Sequence, residues 1–238
     1  MGIIILMYIP PDKSLSALRL RQLISPNLPT GAFSYSQGME WAVECGWIES
    51  EQETRQWLKS VLADSLKSLE LPILLRLLTA ASQDYPQDFL YWSRWLYASR
   101  ETRELRSEEK QRARALYTLL KKLPDSGDWP ELQHWQSALS CSQLAGYALA
   151  ASHWQIGSTD LLQGYTWSWL ENAIAVAIKL VPLGQSQGQR LLYELSPEII
   201  DMVEQATLLE DDQIGASTTA LAIASSLHET QYSRLFRS

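Results

Sequence analysis

Cysteine is scarce in this sequence, and the two that occur, Cys45 and Cys141, lie far apart in the chain. A disulfide framework requires several cysteines, and the common zinc and redox sites require two of them in a CxxC pair. Neither arrangement is present. The sequence therefore excludes disulfide-stabilised scaffolds and cysteine-based zinc or redox proteins.

Basic residues are outnumbered, with 20 Lys and Arg against 27 Asp and Glu, which gives a formal net charge of −7. A chain this acidic has no general affinity for phosphate backbones or anionic lipid surfaces. The apolar start, residues 1–9, lacks a basic leader and is far shorter than the roughly 20 residues that a membrane helix needs. We therefore expect a cytoplasmic protein that binds neither nucleic acid nor membrane, with residues 1–13 as an N-terminal arm.

Strand signals are also missing, because no segment alternates apolar and polar residues between hairpin dipeptides. Helical signals recur instead. Residues 50–53 have the capping-box form and predict a helix to about Glu70, which Pro72 restarts or kinks. We predict an all-α, single-domain bundle of about ten helices with no sheet. It spans residues 14–210, and a less regular C-terminal segment, residues 211–238, follows it.

Three further stretches carry helical predictions. Residues 88–123 read as helical, and the mixed charges of residues 100–114 predict a face in water. Residues 131–154 are rich in small side chains and predict a central helix against which others pack closely. Ser196, Pro197 and Glu198 predict the start of a last strong helix, because they provide an N-cap, a proline at the first position and an acid in the first turn.

One segment matches a catalytic motif. Residues 184–188 satisfy G-x-S-x-G, and Asp201 and His228 follow Ser186 in the chain order of an α/β-hydrolase. That motif needs a buried strand before the serine, whereas the preceding residues carry apolar side chains at helical spacing. We favour a turn between two helices, and a serine hydrolase that uses Ser186 is the alternative.

Metal and nucleotide motifs are incomplete. His228-Glu229 begins like a zincin helix, but Tyr232 occupies the position of the second histidine. The three histidines have no ligand spacing among themselves, and no phosphate-binding G-x-x-x-x-G-K-[ST] loop occurs. The sequence predicts no catalytic residue, no metal site and no cofactor.

The segment 24–40 contains two prolines, two glycines and the aromatic residues Phe33 and Tyr35, more than a simple connector requires. It is either a rigid turn with both aromatic side chains packed inward or a functional loop. This segment, together with residues 100–106, 179–185 and 228–238, resembles the UreF family of urease accessory proteins. The four motifs occur in the family's order and span nearly the whole chain.

The resemblance implies an all-helical homodimer without chemistry of its own. In this family the protein bridges a second accessory protein, called UreD or UreH, and the GTPase UreG on the urease apoprotein. GTP hydrolysis is coupled there to assembly of the nickel centre, so the resemblance implies a nickel-insertion chaperone that regulates the GTPase. The absence of a phosphate-binding loop and of a metal cluster suits such a scaffold.

The resemblance also implies which residues meet the partners. We expect the tail to be loose in the free chain and to become ordered on the UreD-type partner, and the alternative is that Leu235 and Phe236 pack on their own body. The tail residues assigned to the UreD-type partner are His228, Glu229, Tyr232, Arg234, Leu235, Phe236 and Arg237. The residues assigned to the GTPase are Lys179, Pro182, Gly184, Gln185, Gly188 and Gln189. The loop motif comprises Pro29, Gly31, Phe33, Ser34, Tyr35, Ser36, Gly38 and Glu40.

Overall fold

The computed structural model describes residues 11–238 and is all-α, with no strand in that range. The predicted N-terminal arm comprises residues 1–13. Its residues 1–10 lie outside the described range, and residues 11–13 form the first turn of helix α1. Within the described range, no helix combines the length and apolar character that crossing a bilayer requires. The helices are α1 (Pro11–Leu23), α2 (Met39–Glu44), α3 (Glu51–Val61), α4 (Leu71–Ser82), α5 (Pro86–Ser99), α6 (Arg103–Leu120), α7 (Glu131–His134), α8 (Gln136–Leu139), α9 (Gln143–His153), α10 (Ser158–Leu180), α11 (Gln185–Thr207) and α12 (Thr219–His228).

Helices α3 and α4 form one continuous rod, because a π-helical segment, Leu62–Glu70, joins them. The rod begins at the predicted capping box, in which Ser50 and Glu53 bond each other's backbone amides at 3.3 and 3.0 Å. Pro72 cannot donate a hydrogen bond to the carbonyl of Ser68, and Gly215 N donates to that carbonyl instead, at 3.0 Å. The π-helical segment ends at Glu70 and α4 begins at Leu71 with Pro72 in its first positions, so the rod changes geometry at the predicted place without being interrupted.

Helix α11 corrects the prediction of a new helix at Ser196. The helix already begins at Gln185 and contains Pro197 in its interior. A proline inside a helix costs about 3 kcal/mol. Burial of Leu195 and Ile199 on either side offsets that cost, because each large apolar side chain contributes about 1.5–3 kcal/mol when buried.

The central helix is shorter than predicted. Residues 131–154 contain two single-turn helices, α7 and α8, before α9 begins at Gln143. Ser142 caps α9, with its hydroxyl accepting from Leu144 N at 3.2 Å. Residues 143–151 are all buried, and α9 packs against α4 and α6, so the small side chains have the predicted role.

The prediction that the charged stretch 100–114 forms a face in water holds only in part, because Glu101, Arg103 and Arg114 are exposed whereas other charged side chains are buried. The helix predicted for residues 88–123 is interrupted before α6, and Thr102 caps the new helix there. Arg100 and Glu109 are buried, and Arg100 Nη2 donates to Glu109 Oε2 at 2.7 Å. The opposite charges pair with each other inside the protein, which satisfies them without water.

Arg100 connects two parts of the bundle. Its Nη1 donates to Glu70 Oε1 at 2.8 Å, and Glu70 also accepts from the hydroxyl of Tyr165 on α10. Burial alone would lower the pKa of Arg100, but Glu70 and Glu109 together raise that pKa well above its ordinary value. Burial, with the neighbouring Glu70, raises the pKa of Tyr165 well above its ordinary value. The guanidinium therefore stays charged and the phenol neutral.

We predict that Arg100→Met destabilises the fold by about 3–5 kcal/mol, because it leaves two carboxylates buried without their cation. Lys59→Met is the matched control, since Lys59 pairs with Glu198 and both side chains are about half exposed, 47% and 48%. An exposed pair of this kind contributes about 1 kcal/mol or less. Denaturant unfolding of both variants measures the two costs, and equal costs would contradict the role assigned to Arg100.

Candidate protein-interaction site

The loop of residues 28–38 is a turn structure built on two glycines. Gly31 and Gly38 have φ angles of 75° and 81°, which side chains with a Cβ rarely adopt. A Cβ on Gly38 would lie 2.7 Å from Ser225 N in α12, so only glycine fits there. Phe33 is exposed and Tyr35 is buried. The alternative in which both aromatic side chains pack inward thus holds for Tyr35 alone.

The C-terminal tail, residues 229–238, lies against this loop and is held by hydrogen bonds of its backbone and of several side chains. Leu235 N and Phe236 N both donate to the carboxylate of Glu40, the second at 2.9 Å. Arg237 N donates to Ser34 O at 2.8 Å, and Ser36 N donates to Ser238 O. The tail is thereby fixed to the body.

His228 stands between two carboxylates at the base of the tail. Its Nδ1 lies 2.7 Å from Glu104 Oε2, and its Nε2 lies 3.2 Å from Glu40 Oε2. Ionised carboxylates only accept hydrogen bonds, so both contacts are hydrogen bonds when the ring carries both protons. His228 belongs to α12 and is fully buried, and its two contacts link α12 to α6 and to α2.

The start of α6 completes the attachment. The carboxylate of Glu229 accepts from Arg103 N at 2.8 Å, which caps the helix from the tail side. Arg234 donates to Glu104 Oε1 at 2.7 Å. Our sequence interpretation assigned no site role to Glu104, although it lies within the motif of residues 100–106 that carried the resemblance.

The end of α10 and the start of α11 border the tail. Lys179 is exposed, and its Nζ lies 5.7 Å from the centre of the Phe236 ring. Gly188 is buried, and a Cβ there would come within 2.4 Å of Ile178, so this glycine lets α10 and α11 approach closely. The other residues assigned to the GTPase, namely Pro182, Gly184, Gln185 and Gln189, are exposed.

A cavity of about 290 Å³ lies beneath the loop, between α10, α11 and α6. Tyr35, Arg112 and Asn172 are among its lining residues. Asn172 Nδ2 donates to Ala32 O at 3.3 Å, and Trp169 Nε1 donates to Gln37 Oε1 at 3.0 Å, so α10 also fixes the loop. Burial raises the pKa of Tyr35, and the nearby Arg237 opposes that rise. Sequence reasoning missed Trp169 and Asn172, because nothing local marks them.

All four motifs therefore meet at one face of the molecule, although they are far apart in sequence. The loop contacts the tail, the tail contacts the start of α6, and Phe236 contacts the end of α10. We expected a tail that is loose in the free chain, but His228 and Phe236 are buried against the body. In this position these two side chains cannot contact a partner. Leu235, which the alternative also packed inward, is exposed.

The structure contradicts the requirements of a hydrolase. Ser186 lies exposed in the first turn of α11, and helix α10 precedes it where the nucleophile elbow needs a strand. Among residues 11–238 no group of three or more His, Cys, Asp or Glu side chains is arranged to hold a metal ion. The site offers hydrogen bonds, charges and apolar side chains, which are the means of binding a protein.

Comparison with known proteins identifies the family. The UreF family model matches residues 48–196. The urease accessory protein UreF of Alcanivorax borkumensis is 55% identical over 222 residues, 92% of this chain and 97% of that protein. The UreF proteins of Pseudomonas entomophila and Hahella chejuensis are 47% and 42% identical, over 95% and 94% of this chain and 100% and 99% of their own lengths. These relatives are named as accessory proteins and not as enzymes, and the chain belongs to the UreF family of urease accessory proteins.

Proposed function

We propose that this chain is an adaptor in the cytoplasmic assembly of the urease nickel centre. It joins the UreD/UreH-type accessory protein and the UreG-type GTPase on the urease apoprotein, and it regulates the GTP-dependent insertion of nickel. The observation that supports this role is the meeting of the loop, the tail, the start of α6 and the end of α10 at one face. An adaptor needs such a face, whereas an enzyme needs reactive groups.

The tail is the proposed contact for the UreD-type partner. Tyr232 and Leu235 are exposed, and the tail backbone that carries them is held by Glu40 and Ser34. Aromatic and arginine side chains are enriched among residues that dominate binding energies. The tail offers Tyr232 together with Arg234 and Arg237.

The α10–α11 junction is the proposed contact for the GTPase. Its exposed residues Lys179, Pro182, Gln185 and Gln189 come from two helix ends that Gly188 brings together. Lys179 adds a cation on an otherwise acidic protein. The two proposed contacts are neighbours through Lys179 and Phe236, so one partner can affect the binding of the other.

We propose that the homodimer forms through a third face, made of α1, α10 and α11. Leu15, Leu18, Trp167 and Ile200 are large apolar side chains exposed on these helices, at 53%, 55%, 36% and 51%. A groove between the helices is lined by Leu20, Ile24, Gly164, Trp167 and Ile199, among others. Large exposed apolar side chains together with such a groove are typical of an interface.

We predict that deletion of residues 232–238 abolishes binding to the UreD-type partner and leaves urease without nickel. The helices end before this segment, but the deletion removes the burial of Phe236, about 2–3 kcal/mol, and the tail amides that bond the buried Glu40, so thermal unfolding of the deleted chain is measured beside binding. Co-purification of the complex and the nickel content of urease measure the effect. Ser186→Ala is the control and should activate urease like the wild type. Full nickel loading by the deleted chain would contradict the proposal.

We predict that Lys179→Ala weakens binding of the UreG-type GTPase by about tenfold, the factor that corresponds to 1.4 kcal/mol, while the melting temperature stays within about 2 °C. Lys179 is exposed, so its loss leaves the core intact. Lys122→Ala is the matched control, because Lys122 is exposed just after α6 ends at Leu120. A sharp fall in melting temperature with unchanged GTPase affinity would make Lys179 a structural residue.

We predict that Trp167→Glu converts the dimer into a monomer without loss of helical content, because two like charges would face each other across the symmetric interface. Sedimentation and circular dichroism measure these two properties. Tyr91→Glu places the same charge on an exposed aromatic position of α5, away from the proposed interface, and should remain dimeric. A Trp167→Glu dimer as stable as the wild type would rule out this face.

A further inference from the structure

The cavity beneath the loop of residues 28–38 contains groups that the proposed function leaves unused. Its volume is about 290 Å³, which is close to the range of small-molecule sites and offers room for about ten non-hydrogen atoms. Trp57, Trp169, Ile174 and Leu192 are among the side chains that provide its apolar walls. In size and in lining the cavity therefore resembles a site for a small organic molecule.

Arg112 is the cation of this cavity. Its Nη1 donates to Glu108 Oε1 at 2.9 Å, and its Nε is buried without a hydrogen-bond partner among the described residues. A guanidinium has five N–H donors, so the pairing with Glu108 leaves donors for a second acceptor. Buried donors are normally bonded, and an acceptor in the adjoining cavity would satisfy this one.

The charge of Arg112 is retained inside the protein. Burial alone would lower the pKa of Arg112, but Glu108 raises that pKa above its ordinary value. Glu108 itself also accepts from Gln37 Nε2 at 2.9 Å and from Ser238 Oγ at 3.1 Å. The carboxylate is thus satisfied by several donors and does not require the whole guanidinium.

Tyr147 provides a neutral donor beside this cation. It lines the cavity and is 4% exposed, burial raises its pKa, and the charge of Arg112 opposes that rise. The phenol therefore keeps its proton, and no hydrogen bond to a described residue engages its hydroxyl. Tyr35 and Tyr165 also line the cavity, but their hydroxyls already donate to other side chains.

The cavity opens to water at the start of α11, where Gln185 and Gln189 line it and are exposed. Glu171 lines it as well and is partly exposed. Water and salt screen an exposed charge more strongly than a buried one, so the charge of Arg112 dominates at the buried end. A ligand with one negative charge is therefore favoured over a ligand with two.

We propose that this cavity binds a small organic monocarboxylate. The carboxylate accepts hydrogen bonds from Arg112 and from the hydroxyl of Tyr147, and the apolar body of the ligand packs between Trp57, Trp169 and Ile174. A guanidinium suits a carboxylate because its N–H groups form a planar fork that matches the two oxygens. The site is separate from the proposed function, because the isolated chain contains all of its groups.

The experiment titrates benzoate into the purified full-length protein and measures binding by calorimetry. We expect a dissociation constant of about 1 mM or lower, the range of a ligand of this size. Benzamide has the same shape without the charge and should bind at least about tenfold more weakly, because it loses the charged hydrogen bonds. Inorganic phosphate has charge without an apolar body and should also bind at least about tenfold more weakly.

Tyr147→Phe tests the neutral donor. It removes the hydroxyl and keeps the ring, so helical content and melting temperature should not change. Binding of benzoate should weaken about tenfold, because a hydrogen bond to a charged group is lost. Tyr193→Phe is the matched control, since Tyr193 is 82% exposed on α11. It should bind benzoate like the wild type.

Arg112→Lys tests the cation. Lysine keeps a positive charge for Glu108 but lacks the planar fork, so benzoate should bind at least about tenfold more weakly. Arg190→Lys makes the same change on an exposed side chain of α11 that pairs with Glu51. This control should leave benzoate binding unchanged.

Every outcome decides for or against the site. A dissociation constant for benzoate above about 1 mM, or equal binding of benzoate and benzamide, would overturn it, because the cavity would not recognise the carboxylate. Phosphate binding as strong as that of benzoate would contradict the role of the apolar walls. Normal benzoate binding by Tyr147→Phe would place the carboxylate elsewhere, whether or not Arg112→Lys folds. Selective benzoate binding that Tyr147→Phe weakens and Tyr193→Phe does not supports the proposal.

Discussion

A single buried guanidinium, that of Arg100, determines how the centre of this bundle is assembled. It bonds Glu70 at the end of the π-helical segment and Glu109 on α6. Glu109 also accepts from Gln143 N at the start of α9, at 2.8 Å, and Glu70 accepts from Tyr165 on α10. A buried charge is tolerated only when its partners are in position. The packing of these four helical segments is therefore coupled, because each must present its group to the same network.

The same rule of paired burial explains the interaction site. Glu40 and Glu104 are carboxylates with little access to water, and both are satisfied by His228 and by the tail. Glu108 is buried as well and bonds Arg112, at 2.9 Å, and Gln37, at 2.9 Å. The loop, the tail and α6 thus hold one another through acidic groups that none of them could bury alone.

The sequence predicted those parts of the fold that depend on neighbours in the chain. The capping box at Ser50 and the helix that precedes Ser186 involve residues within one or two turns, and both predictions are confirmed. The prediction for residues 100–114 failed for the buried side chains, because the cation at Arg100 pairs with Glu70, whose distance in sequence gives no local signal. Alternating charge looks the same in water and in a satisfied network.

The failure at Pro197 has a similar cause. A serine followed by proline and glutamate satisfies the local rules for a helix start, yet the apolar stripe of α11 passes through it and is buried on both sides. Tertiary burial outweighed the local preference there. Of the site, the sequence could indicate the four motifs but not their meeting, because the contacts that join them are between backbone groups and distant carboxylates.

The way the tail is anchored affects which side chains it can carry. Backbone amides bond to Glu40 and Ser34 whatever the side chains are, whereas Glu229, Arg234 and the buried Phe236 anchor the tail through their side chains. The outer positions Tyr232 and Leu235 are free of any structural demand from the body. Exposed apolar groups at such positions do nothing for the free chain, since burying them is what releases free energy. These side chains are therefore available to a surface of another protein, as the proposed function requires.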